Sequence, residues 1–186
     1  MQPRTREVLD YLGTCRSELE RAVTSVPEAR RTQRPAADAW SVAEVLEHLN
    51  LVEGRIARLL AEEIARARAA GLGPEGDTSP IVPTVPVSRL ADRSERIVAR
   101  ESALPTGVLA PHAAWSELEA TRRILRAALV EADGLALSEL VLPHPRLGPL
   151  NVYQWVVFVG AHESRHAAQV REVGRMLERS PARTPT

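Results

Sequence analysis

Apolar residues recur along this chain in steps of three and four, the spacing of one buried helical face. From residue 4 to 24 the stripe is Val8, Leu12, Cys15, Leu19 and Ala22, continuing to Val26, with Pro27 closing the helix. A polar stretch, PEARRTQRPAADA, follows and reads as a loop. Ser41 then offers an N-cap with Glu44 three residues on, the capping-box spacing. Trp40 before the cap and Val45 inside it suit a hydrophobic staple. This second helix carries Val42, Val45, Leu49, Val52, Ile56, Leu59 and Leu60 to about Ala70, where Gly71, Gly73 and Pro74 end it.

Residues 71–111 break the period. GLGPEGDTSPIVPTVPV is rich in Gly and Pro, and only 88–102 suits a short helix. So long a connection predicts a crossover rather than a hairpin. A third long helix is expected from about His112 to Glu131, with Trp115, Leu118, Leu125, Ala128 and Leu129 facing in. SELVLPHPRLGPL reads as a loop with room for a small strand pair. The fourth long helix is expected from about Asn151 to Glu178, ahead of a frayed tail over 181–186. The pattern predicts one all-α domain over residues 1–180, a four-helix bundle with a long crossover between the second and third helices. Such bundles build metal sites from inward side chains on facing helices.

Composition narrows the partners. Lys plus Arg is 24 and Asp plus Glu is 24, so no bulk positive charge invites nucleic acid. Every basic residue is Arg, a bias that a GC-rich bacterial genome produces, and one that excludes lysine nucleophiles and Schiff bases. A single cysteine, Cys15, rules out an intrachain disulfide and a site of several thiolates. The longest apolar run, VVFVGA, is too short to cross a membrane, and MQPRTREVLD lacks a signal-peptide core, so a cytoplasmic protein is expected. Near-neutral charge and broad apolar helix faces permit a homodimer.

The last helix carries the chemistry. Its stripe runs Trp155, Val159, His162, His166, Val170, Val173, Leu177, so two histidines at i and i+4 interrupt a face that must be buried. Two imidazoles one turn apart can hold one divalent ion, or can be core histidines satisfied by hydrogen bonds. A metal needs at least a third ligand. His48, on the flank of the second apolar stripe, can meet the last helix at mid-bundle. His112 suits a cap or the surface. His144, in an HP turn, suits a solvent-facing turn or a pocket mouth. Cys15 suits the core. HESRH matches the zincin motif literally, but no histidine follows it to complete that site.

WSVAEVLEHL, HPRLGPLNVYQWVVFVGAHESRH and the following AAQV together resemble the DinB-like superfamily, most closely its DinB_2, YfiT-like branch of metal-dependent enzymes. The resemblance covers about residues 5–178. It implies a four-helix bundle of unusual topology with a three-histidine metal site, and carries the ligands onto His48, His162 and His166. It also implies zinc or nickel, and a small-molecule substrate. Members of this kind are thiol S-transferases, isomerases using a low-molecular-weight thiol as cosubstrate, or hydrolases. Glu163 is the expected base by analogy with H-E-x-x-H chemistry, although it lies about 100° from His162 on the helix and equally suits a salt bridge. Gln169 and Arg165 are expected to orient the site or meet an anionic substrate, with a solvated helix face as the plain alternative for Arg165. Glu44 suits a bond to a ligand or the cap, and Trp155 and Tyr153 a pocket wall or the core. The competing function is a non-catalytic metal-binding bundle serving as a stress-response or interaction module.

Overall fold

Each long stripe forms a helix in the computed structural model, which describes residues 1–94 and 97–179. In chain order the helices are α1 (Pro3–Thr24), α2 (Val42–Ala69), the short α3 (Val87–Ala91), α4 (Pro111–Glu131) and α5 (Val152–Arg179). A two-stranded antiparallel hairpin, β1 (Val141–His144) and β2 (Gly148–Asn151), precedes α5. The four long helices make the expected four-helix bundle.

Local chemistry sets the helix ends. The capping box at α2 is complete. Ser41 Oγ accepts from the Glu44 N–H at 3.3 Å, and a Glu44 carboxylate oxygen accepts from the Ser41 N–H at 2.8 Å. Trp40 packs on the cluster that holds Val45. Gly71, at φ +85°, supplies the left-handed residue that stops α2. Asn151 and Gln154 repeat the reciprocal cap at the start of α5, with bonds of 2.9 and 3.0 Å.

The order of packing explains the crossover. α1 lies mainly along α5, and α2 mainly along α4. α2 also borders α5, and α1 borders α4, so α1 and α2 stand diagonally across the bundle. The chain between α2 and α4 is pinned along its length. Glu75 N–H donates to the Gly134 carbonyl at 2.8 Å, and Glu7 accepts from the N–H groups of Ile81 and Val82. α3 then packs on α5, where Arg93 grips Glu172. Among the described residues of the expected 88–102 helix, 88–91 are α-helical, within α3, and Glu101–Ala103 form a 3₁₀ turn. Residues 95 and 96 lie outside the described residues, as does the expected frayed tail.

Two apolar clusters fill the bundle. One is built around Leu12, Ile56, Leu125 and Trp155, the other around Leu19, Leu49, Leu118 and Val170. Cys15, Tyr153 and Trp155 belong to the interior, as the core readings expected, while Ala128 and Trp115 are only half-buried. A charged layer separates the two clusters. Arg16 of α1, Glu53 of α2, Arg122 of α4 and Glu163 of α5 meet there, one from each long helix.

Candidate metal centre

His48 is buried one helical turn before Val52, on the side of α2 that faces α5. His162 and His166 point from α5 into the same space. His162 Nε2 lies 3.4 Å from His48 Nε2 and 3.2 Å from His166 Nε2. All three ligand atoms fall within 4.8 Å of one another. His48 and His166 are buried, and His162 keeps partial access to solvent.

The far side of two rings is tied down. His48 Nδ1 is 2.7 Å from the Ala103 carbonyl oxygen, which can only accept, so Nδ1 carries the proton. His166 Nδ1 donates likewise to Gln169 Oε1 at 2.8 Å, and Arg93 donates to the same oxygen at 3.3 Å. In the neutral rings both Nε2 lone pairs therefore face His162. One N–H on His162 Nε2 cannot serve both fully, whereas a cation among the three nitrogens satisfies all of them. The spacing suits that cation, since two imidazole nitrogens about 2.0–2.1 Å from one tetrahedral zinc lie roughly 3.3 Å apart. Burial holds the rings neutral, as ligation requires. It pushes His162 down to about 3, with His48 and Arg165 adding to the effect. It also lowers His166 and His48, aided by the neighbouring histidines at His166 and by Arg55 at His48.

Glu47 positions this centre, and no pattern in the sequence marked it. Buried beside His48, it accepts from the Thr106 N–H (2.9 Å), the Thr106 hydroxyl (2.7 Å) and the Gly107 N–H (3.0 Å). Those bonds clamp the end of the crossover onto α2, with the Ala103 carbonyl set against His48. Gly107 accepts the bend at φ +73°. Trp40 covers the other side of His48, ring centroids 4.9 Å apart.

Several expectations need correction. Glu163 is not placed as a base. It is 1% exposed, and its carboxylate is taken up by Arg16 Nε at 2.6 Å and Arg122 Nη2 at 3.0 Å. Its 100° offset from His162 turns it into the charged layer. Glu44 is committed to its cap and to Arg34 rather than to His48. Arg165 is buried, not on a solvated face, and so is His144, which lies against Trp155 and Phe158. Gln169 does orient a ring, as expected, and His112 is exposed. A surface cleft of about 440 Å³ beside Arg55, Arg58 and Ser102 contains none of the three clustered histidines.

Residues 11–170, which include all three histidines, match the family model described as the DinB superfamily. The chain is 29% identical over 176 residues to YuaE, an uncharacterized protein of Bacillus subtilis (strain 168). That match covers 92% of this chain and 100% of YuaE. Among solved structures it is similar to TT2238, described as a four-helix bundle protein, with a TM-score of 0.57 and 20% identity. The likeness covers 90% of this chain and 98% of TT2238, and at that identity it shows the fold alone.

Proposed function

We propose that this chain, which belongs to the DinB superfamily, is a divalent-metal-dependent enzyme that acts on a small molecule by thiol transfer or hydrolysis. His48, His162 and His166 would hold the metal. The observation that carries this reading is the convergence of their three Nε2 atoms, two of them with the opposite ring nitrogen already bonded to an acceptor. Three imidazoles are a donor set that suits zinc or nickel and leaves positions open. A bound ion of that kind would supply Lewis acidity, lowering the pKa of water or of a thiol.

The residues of the chain divide the remaining work. Ala103 and Gln169 fix the two buried rings, and partly exposed His162 marks the side from which a substrate approaches. A metal-bound water or thiol would leave the protein needing no nucleophile of its own. The chain has no lysine, and Cys15 is buried, its thiol held above the ordinary range chiefly by that burial. Glu163 is occupied by arginines. The nucleophile in this reading is water or a low-molecular-weight thiol cosubstrate, used in the cytoplasm. No helix among the described residues is long and apolar enough to cross a membrane.

The test is metal content by elemental mass spectrometry on untagged protein, beside His48→Ala, His162→Ala and His166→Ala, with helicity checked by circular dichroism. About one equivalent of zinc or nickel is expected in the wild type and none in the variants. Gln169→Leu should weaken metal affinity by roughly 10–100-fold. Wild-type protein that stays metal-free after reconstitution would overturn the reading. Tight metal with no acceleration of thiol transfer or hydrolysis would leave a non-catalytic metal-binding bundle.

A further inference from the structure

The hairpin that precedes α5 delivers a fourth imidazole to the triad. His144 closes β1, and although it sits at a turn it is only 9% exposed. Its ring centroid is 4.8 Å from that of Trp155 and 4.4 Å from that of Phe158. Phe158 stacks in turn on His162, with centroids 5.8 Å apart and planes 21° apart. One aromatic ring thus separates His144 from a triad member.

The turn sets the tautomer of His144. Its Nδ1 accepts from the backbone N–H groups of Arg146 (3.2 Å) and Leu147 (3.1 Å). The lone pair is therefore on Nδ1, and the proton of the neutral ring is on Nε2. Among the described residues no group accepts that proton. Nε2 is not one of the buried atoms that lack a partner, so this fixed donor opens to solvent, where a ligand can reach it. The charges around it agree. Burial lowers the His144 pKa first, and the guanidinium groups of Arg100 and Arg146 are close enough to lower it further. The formal charges that bear most directly on this ring are cationic, and Arg146 lies in the same turn that holds its Nδ1.

We propose that His144 is a substrate-binding residue. Its Nε2–H, supported by Arg146 and Arg100, receives an oxyanion group (a carboxylate, sulfonate or phosphate) carried by the small molecule on which the triad acts. The substrate lies against Phe158, its anionic end at the hairpin and its reacting atom at the histidines. The role assigned to the triad rests on the function proposed above, but the anion contact itself requires no metal.

The test uses the full chain, metal-free and zinc-reconstituted, with inorganic phosphate and acetate as probes and the imidazole ¹H–¹⁵N spectrum as readout. His144 should appear as the Nε2–H tautomer, and its Nε2 resonance should shift saturably with either probe in both forms. Arg146→Ser keeps the backbone donors and should weaken the apparent Kd by roughly tenfold. In the metal-free form, His144→Phe should show no saturable shift at the remaining imidazole resonances. A His144 resonance that does not move, or an affinity unchanged in both variants, would overturn the proposal. Should His144→Phe fail to fold, the wild-type resonance and Arg146→Ser still decide it. A wild type that binds no metal yet shows the phosphate response would defeat the enzyme reading and leave the anion site standing.

Discussion

Replacing Arg122 with Met should cost about 3–5 kcal/mol of stability, the usual penalty for removing one partner of a buried ion pair. Arg122 is 5% exposed and binds Glu53, Glu163 and the Leu12 carbonyl. Burial opposes its charge, but Glu163 and Glu53 outweigh that and hold its pKa above the ordinary value. Met fills most of the volume of the stem, so the loss is electrostatic rather than a cavity. Without Arg122, Glu53 keeps only a 3.4 Å contact to Arg16, which is shared with Glu163 and Glu119. One buried negative charge is then in excess. At roughly 2–4 °C per kcal/mol for a chain of this size, the melting midpoint should fall by about 6–20 °C. The pH dependence has a definite sign. Glu53 is already raised above its ordinary 4.5, by burial first, against the pull of Arg122, and losing Arg122 raises it further. A carboxylate raised in the fold favours the folded state below its unfolded pKa and loses that advantage as pH climbs through the folded value. The deficit should therefore be larger at pH 8 than at pH 5. Urea unfolding followed by circular dichroism at both pH values measures it, and adding Glu163→Gln should recover part of the loss at pH 8. A deficit under about 1 kcal/mol at pH 8, typical of an exposed pair, would refute the reasoning. So would one that does not shrink at pH 5.

Gly160→Ala should cost about 1–3 kcal/mol by overpacking, because an added Cβ would lie 2.5 Å from Tyr11 Cε1 and 3.2 Å from Cys15 Sγ where α1 crosses α5. Urea unfolding checks it, and a neutral result would mean that the helices can part there at little cost. The metal-free protein should lose stability as pH falls below about 6.5. His162 is depressed to about 3 in the fold, and His48 and His166 are also lowered, so the unfolded chain binds more protons across that interval. Melting midpoints between pH 4 and 7 report this slope, which should be shallower in His162→Ala.

Much of the fold was legible because a buried helical face leaves a period in the chain. Val8 to Ala22, Val42 to Leu60 and Trp155 to Leu177 each revealed a helix and the side it buries. The Ser41–Glu44 cap was legible because it is a contact across three residues. His162 and His166 were legible as a pair because four residues of helix set their spacing whatever surrounds them. What lay beyond those local rules depended on the element across from each face. Glu163 follows His162 directly, yet the neighbouring Arg16 and Arg122, from α1 and α4, make it part of the charged layer. Glu47 looks like any helix glutamate until the crossover returns to it at Thr106. His144 reads as a turn residue until Trp155 and Phe158 close over it. The sequence by itself determined the main apolar face of each long helix and the spacing of His162 and His166 along theirs, since both follow from 3.6 residues per turn. Only the tertiary structure decided which inward groups meet, because the diagonal placement of α1 and α2 and the path of the crossover choose the partners, and for a buried charge or imidazole the partner sets the role.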